Sequence, residues 1–160
     1  ALELGTAWCS SDFSACALWF PPGGGPEEEL LVDIIKTTVP VHRHEEVFAV
    51  FEALGEAHPS QPHWYLPLIG VDPTKQGSGL GGALLRTVLD RCDREDMPAY
   101  LESSSPRNVT LYERHGFQRR GEIRIGSCPP IVPMWREPNS VNDQTKTYQH
   151  ETIPPRYLDP

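Results

Sequence analysis

The glycine-rich stretch from Gln76 to Gly82 has the composition of a loop that binds anions. Four of its last six residues are glycine, and it lies between an apolar run and an amphipathic segment. With so few side chains in the way, backbone N–H groups at the start of the following helix can face a ligand. A helix N-terminus also carries roughly half a positive charge, so the expected ligand is a phosphate or pyrophosphate. The residues expected to bind it, mainly through main-chain N–H groups, are Gln76, Gly77, Ser78, Gly79, Leu80, Gly81 and Gly82.

Two phosphate-binding patterns fit this loop. It satisfies GxGxxG, and Glu102 follows twenty residues after the last glycine, as in a dinucleotide-binding fingerprint. Five residues, 72–76, nevertheless separate the preceding strand from the first glycine, and the chain downstream is too short to complete a doubly wound sheet. No Gly-Lys-Ser/Thr follows, which argues against a Walker-type loop. The second pattern is Gln-x-x-Gly-x-Gly, formed by Gln76, Gly79 and Gly81.

A second segment of the sequence helps to choose between these two phosphate-binding patterns. Residues Asn108 to Phe117 have the form Asn…Tyr-Glu-x-x-Gly-Phe. The two segments together resemble the GCN5-related N-acetyltransferase (GNAT) superfamily, whose loop-to-helix turn holds the pyrophosphate of acetyl-coenzyme A. Within it, the chain is most similar to puromycin N-acetyltransferase and its relatives. The resemblance covers roughly residues 5–137 and is densest over residues 63–117.

The resemblance implies how the cofactor, acetyl-coenzyme A, is held. The backbone of the strand at Ile69, Gly70 and Val71 is expected to pair with the pantetheine arm and to orient the thioester carbonyl. Asn108 is expected to contact the cofactor, and it is also well suited to cap its own helix. These residues and the glycine loop form the predicted cofactor site. Lys75 or Arg86 could add positive charge to it, with a solvated surface position as the alternative for each.

The resemblance implies one catalytic residue, and the position of Glu102 at the end of a strand near the expected splay suggests a second. Tyr112 is the expected general acid, and it also lines the predicted cofactor site; a phenol titrates near ~10 and so carries a proton at neutral pH. The alternative role of Tyr112 is packing on the sheet. Glu102 is the expected base, accepting the amine proton directly or through water. A structural glutamate, with ordered water as the base, remains the alternative.

The elements around these residues predict a mixed α/β fold with one sheet, and the resemblance implies that this central sheet is mostly antiparallel, with a splayed strand pair and flanking helices. The order is a hairpin (6–20), helices over 27–36 and 45–57, a strand (63–71), the glycine loop and its helix, a strand (99–103), a helix (106–115) and strands over 117–125 and 131–136. Pro67 cannot donate to a ladder, so a bulge or splay is expected beside it. Residues 1–137 are predicted to form the domain and residues 138–160 a polar tail. The family's opening strand and first helices have no counterpart, so an N-terminal part is expected to be missing.

Composition and charge limit which kinds of partner and ligand are expected. The net charge of −8 argues against nucleic-acid binding, and no apolar run is long enough for a membrane span. The four cysteines lack a CxxC pair, which indicates reduced, mostly buried thiols in a cytoplasmic protein. The histidines have no zinc-site spacing, so no metal is expected. The oligomeric state stays open, a homodimer included.

The predicted function is the transfer of acetyl from acetyl-coenzyme A to a primary amine of a small molecule, directly within a ternary complex. Two alternatives remain. One is a sensor domain that binds an acyl-coenzyme A without turnover. The other is a nicotinamide-dependent oxidoreductase that uses GxGxxG and Glu102.

Overall fold

The computed structural model describes residue 1 and residues 3–139, which form one six-stranded sheet with four α-helices. The strands are β1 (Ala7–Cys9), β2 (Ala15–Phe20), β3 (Trp64–Val71), β4 (Ala99–Ser103), β5 (Gln118–Arg119) and β6 (Val132–Arg136). The helices are α1 (Glu28–Thr38), α2 (His44–Ala57), α3 (Leu80–Arg94) and α4 (Pro106–Arg114). The sheet order is β1-β2-β3-β4-β6-β5, and only β3 and β4 run parallel. The predicted mixed, mostly antiparallel sheet is confirmed.

Strands β3 and β4 separate in the middle of the sheet. They pair only from Trp64 to Leu66 on β3, opposite 99–101 on β4. Beyond Leu66, β3 stays paired with β2 alone, and the β2–β3 register shifts so that Phe20 faces Tyr65 while Leu18 faces Leu68. Between these two pairs, β3 advances by three residues and β2 by two. The extra residue forms a bulge that contains Pro67. The proline has no N–H to donate, and the extra residue turns the following backbone away from β4.

One face of the sheet carries the main core. Helix α3 packs there with an apolar stripe, and all of its members are at most 6 % exposed: Leu84, Leu85, Val88, Leu89 and Cys92. The partners from the strands include Trp19, Trp64, Leu66 and Leu101, and α4 adds Val109 and Tyr112. The i, i+3, i+4 spacing of these residues on α3 is the reason that this segment forms an amphipathic helix. The packing of this stripe on the sheet places the first residue of α3 directly beside the end of β3.

Helix α2 ends against the opposite face. The Tyr100 hydroxyl donates to the carbonyl of Ala57 over 3.4 Å, and the rings of His58, Tyr65 and Tyr100 meet edge to face. At its other end α2 contacts the segment between β5 and β6, where Glu46 accepts a hydrogen bond from the backbone of Ser127. The second face is therefore aromatic and polar.

Two expectations from the sequence are wrong in detail. The strand predicted over 117–125 is reduced to Gln118–Arg119, followed by a single bridge from Ile123 to Ile131. Pro133 of β6 accepts from the Arg120 N–H but cannot donate in return, and the register shifts past it. The cysteines are not mostly buried, because only Cys92 is buried and Cys16 is exposed.

The predicted polar tail lies outside the described residues from 140 onward. Among the described residues, no helix combines the length and the apolar character that crossing a membrane requires.

Candidate functional site

The predicted cofactor residues surround one cavity of about 460 Å³ between the end of β3, the start of α3 and one side of α4. Every predicted cofactor residue lines it except Ser78. The lining residues are Ile69, Gly70, Val71, Lys75, Gln76, Gly77, Gly79, Leu80, Gly81, Gly82, Asn108, Leu111, Tyr112 and Arg114. The Ser78 hydroxyl instead donates to the carbonyl of Lys75 over 2.6 Å. Ser78 thus stabilises the loop from within.

The glycine loop turns its backbone towards the cavity. Gly77 and Gly79 have φ angles of +81° and +88°, a left-handed conformation that favours glycine. A Cβ atom on either residue would meet nothing within 4 Å. In the described chain, the N–H groups of Gly77, Gly79, Leu80, Gly81 and Gly82 donate to no protein acceptor, and the first α3 hydrogen bond of this turn runs from Ala83 to Gly79. This gives a row of open donors at a helix N-terminus, which suits a pyrophosphate.

The strand side of the cavity offers further backbone groups. The Asp72 N–H donates to the carbonyl of Ser14 on the β2 side over 2.7 Å. Because backbone groups alternate along a strand, those of Val71 and Ile69 point away from β2 into the gap left by β4. The Gln76 side-chain amide already occupies the Val71 carbonyl at 3.3 Å. The side chain of Gln76 therefore ties the loop to the strand, a role additional to the predicted one.

Tyr112 and Asn108 share one wall of the cavity. Tyr112 is 4 % exposed, and its ring packs against Phe117. Burial raises the pKa of the Tyr112 phenol, and a hydrogen bond with Asn108 opposes that shift in part. The hydroxyl is therefore protonated throughout the neutral range, as a proton donor must be.

Glu102 lies elsewhere. It belongs to the sheet face opposite α3, its side chain is 8 % exposed, and it is not among the residues that line the cavity. Its neighbours are His58, with Nδ1 3.6 Å from Oε1, and the phenols of Tyr65 and Tyr100, whose pKa is raised by burial and then by the charge of Glu102. The Trp64 N–H donates to the carbonyl of Pro98, so by alternation the backbone of Glu102 faces the gap between β3 and β4. The two predicted catalytic side chains thus lie on opposite faces of the sheet, with the gap between them.

Two lining residues were not predicted from the sequence. Leu111 packs against the loop, since a Cβ on Gly81 would lie 3.4 Å from its side chain. Arg114 brings an exposed positive charge to the rim. Its position two residues after Tyr112 gives no signal of this in the sequence.

The two cations considered as additional charges occupy different places. Lys75 lines the cavity and Arg86 does not. Lys75 forms an ion pair with Asp12, and the hydrogen bond with Asp12 raises the pKa of Lys75. Lys75 is therefore charged at the rim, with its charge partly balanced by that carboxylate.

The described residues contain no group of three or more His, Cys, Asp or Glu side chains suited to a metal ion.

The sheet of the described residues has a single parallel pair of strands, which is incompatible with the doubly wound sheet of a nicotinamide-dependent oxidoreductase. A splayed strand pair beside a glycine-rich helix N-terminus defines instead the class of acyl-coenzyme A-binding transferase folds.

Comparison with known proteins identifies the family within that class. Residues 34–137 match the family model of the acetyltransferase (GNAT) domain. This match covers more than half of the chain, and the protein belongs to the GNAT family. The superfamily expected from the two sequence segments is confirmed.

Individual relatives are similar over shorter stretches. An uncharacterized N-acetyltransferase of Schizosaccharomyces pombe is 38 % identical over 80 residues, which are 48 % of this chain and 32 % of the relative. A mycothiol acetyltransferase of Kineococcus radiotolerans is 45 % identical over 69 residues, 40 % of this chain and 22 % of the relative. The chain thus matches about a third or less of the length of these relatives.

A solved structure agrees on the fold. It is a Corynebacterium glutamicum protein described as "histone acetyltransferase HPA2 and related acetyltransferase". It superposes with a TM-score of 0.54 at 28 % identity, covering 84 % of this chain and 64 % of that one.

Proposed function

We propose that the protein transfers the acetyl group of acetyl-coenzyme A directly to the primary amine of a small molecule within a ternary complex. One observation carries this proposal. Open N–H donors at the start of α3, the unpaired backbone of β3 and the protonated phenol of Tyr112 converge on a single cavity. These are the groups needed to bind a pyrophosphate, align an amide-bearing arm and protonate a leaving thiolate.

The chain's own residues have distinct roles in this reaction. The loop from Gly77 to Gly82 would hold the pyrophosphate through its N–H groups. The backbone N–H groups of Ile69 and Val71, which face the gap, would align the thioester. The amine nitrogen attacks the thioester carbonyl carbon, the new C–N bond forms, and the C–S bond breaks. Glu102, directly or through water, removes one proton from the ammonium group so that the nitrogen can attack, and Tyr112 donates its proton to the departing sulfur. The second proton that the nitrogen loses on forming the amide replaces the one that Tyr112 has given.

The acceptor in this reaction is a small molecule with a primary amine. The Schizosaccharomyces pombe relative is named an N-acetyltransferase and the Kineococcus radiotolerans relative is named a mycothiol acetyltransferase; the second name refers to a small molecule, which supports a small acceptor. Puromycin-like aminonucleosides, polyamines, amino acids and peptide N-termini are the classes to compare.

A thiol-release assay tests the proposal. The protein is incubated with acetyl-coenzyme A and one amine of each class, and free coenzyme A is measured. We expect release with at least one small amine and not without an amine. Tight binding of acetyl-coenzyme A with no release in the presence of any amine would refute the transferase and leave the alternative of an acyl-coenzyme A sensor.

Tyr112→Phe tests the mechanism. The phenylalanine keeps the ring contact with Phe117 and removes only the hydroxyl. We expect kcat to fall about 10²- to 10⁴-fold, the usual contribution of a general acid, with little change in the Kd of acetyl-coenzyme A. Equal losses in kcat and in affinity would show that Tyr112 acts by packing.

A further inference from the structure

Acetylation of an ammonium group releases one proton to solvent in every turnover, because R–NH₃⁺ and a thioester give an amide, a thiol and H⁺. If Glu102 takes this proton, as proposed above, the proton must then leave Glu102. The Glu102 side chain is only 8 % exposed, and burial among side chains leaves it little direct contact with water. The structure therefore requires a group that connects this carboxylate to solvent.

His58 is in the position of that group. Its Nδ1 lies 3.6 Å from Glu102 Oε1, close enough for an ion pair or one bridging water, and its side chain is 35 % exposed. His58 also lines a second cavity of about 530 Å³, which residues 22–25 and 58–63 surround. This second cavity shares no lining residue with the cofactor cavity. A proton leaving by this path would not cross the cofactor site.

The other titratable neighbours of Glu102 and His58 do not fit the role. Burial, and after it the charge of Glu102, raises the pKa of both Tyr65 and Tyr100, so these phenols are already protonated and cannot accept a proton. His63 packs against His58 with ring centroids 4.9 Å apart, but its Nδ1 donates to the carbonyl of Gln61 at 2.7 Å. Burial also lowers the pKa of His63.

We propose that His58 accepts from Glu102 the proton of the acceptor amine and releases it to water in the second cavity. The inference rests on the proposed function. The proton moves from the ammonium to the Glu102 carboxylate, then to Nδ1 of His58, and leaves the ring from Nε2, so that no other reactant is needed. His58 does not touch the substrate, and it acts through Glu102.

His58→Gln is the test variant, because glutamine retains polar contacts but does not titrate in the neutral range. We expect kcat to fall about 10²-fold, at the lower end of general acid–base contributions, with KM for both substrates unchanged. Imidazole or concentrated buffer, entering the second cavity, should restore part of the rate. Ser60→Ala, which lines the same cavity, is the control and should keep the rate of the natural protein.

The outcomes separate this inference from the proposed function. An unchanged rate in His58→Gln, or a reduced rate that imidazole does not raise, would overturn the relay while acetyl transfer stands. No thiol release by the unaltered protein would refute the proposed function itself.

Discussion

Gly79→Ala is the most direct perturbation of the glycine loop. Gly79 precedes the first residue of α3 with a φ angle of +88°, and an alanine in this left-handed region costs roughly 1–2 kcal/mol. A Cβ atom there would meet nothing within 4 Å, so no clash adds to that strain. The smaller entropy of the unfolded alanine chain offsets about 0.4–1 kcal/mol. We therefore expect a loss of about 1 kcal/mol in the free energy of unfolding.

The effect on binding should be larger than the effect on folding. The added methyl group enters the cavity lining, where the proposed pyrophosphate has to approach the open N–H groups within hydrogen-bond distance. We expect the Kd of acetyl-coenzyme A to rise at least about tenfold, which corresponds to roughly 1.4 kcal/mol. Isothermal titration calorimetry measures the Kd, and urea unfolding measures the stability.

Gly23→Ala is the matched control. Gly23 has a φ angle of +79° and equally open space around a Cβ, but it lies beside the second cavity and away from the cofactor cavity. Its stability loss should equal that of Gly79→Ala, with no change in Kd. The reasoning is refuted if Gly79→Ala binds acetyl-coenzyme A with unchanged affinity, or if Gly23→Ala weakens binding equally.

Two further predictions concern stability. Arg136 is 3 % exposed, and both of its terminal nitrogens lie 2.8 Å from the Asp93 carboxylate. Asp93→Ala leaves this buried charge without its partner, so we expect the free energy of unfolding in urea to fall by about 3–5 kcal/mol. Adding Arg136→Met should recover most of this loss, and a small loss in Asp93→Ala would contradict this account. Burial raises the pKa of the Cys92 thiol from 9.0 to about 12, so the unfolded chain loses this proton first as pH rises. Unfolding free energy should then fall by about 1.4 kcal/mol per pH unit between these values. Between pH 9 and 10 the slope for Cys92→Ala should be shallower by this contribution, because the buried tyrosines add equally to the slopes of both proteins, and an equal slope would show that the thiol is not its source.

The sequence predicts the cofactor cavity well, because each of its parts is specified locally. The glycines dictate an open loop, the i, i+3, i+4 spacing after Leu80 dictates a helix, and Pro67 dictates a bulge where β3 leaves β4. Each of these features depends on interactions between residues that are close together in the sequence. The place of the loop beside the cavity could therefore be predicted from the amino-acid sequence, except for Ser78, while the binding roles of these residues stay predictions.

The surroundings of Glu102 could not be predicted in the same way. Which face of the sheet its side chain occupies depends on the register of β4, and its neighbour His58 comes from the end of α2, more than forty residues earlier in the chain. The pairing of Arg136 with Asp93 depends likewise on how β6 and α3 meet. Long-range packing determines these contacts, and no local pattern encodes it.

The separation of β3 from β4 also divides the sheet into two leaves, β1–β2–β3 and β4–β6–β5, which are joined by only three residue pairs. A molecule bound in the cavity at this opening would touch β3 and the start of α3 on one side and α4, which follows β4 in the chain, on the other, and so would add contacts that the backbone ladder lacks. Occupancy and folding are then thermodynamically linked. At a ligand concentration of 100 times Kd, the linkage adds about 2.7 kcal/mol to the free energy of unfolding. We therefore expect this domain to unfold most cooperatively when a ligand is bound across the opening.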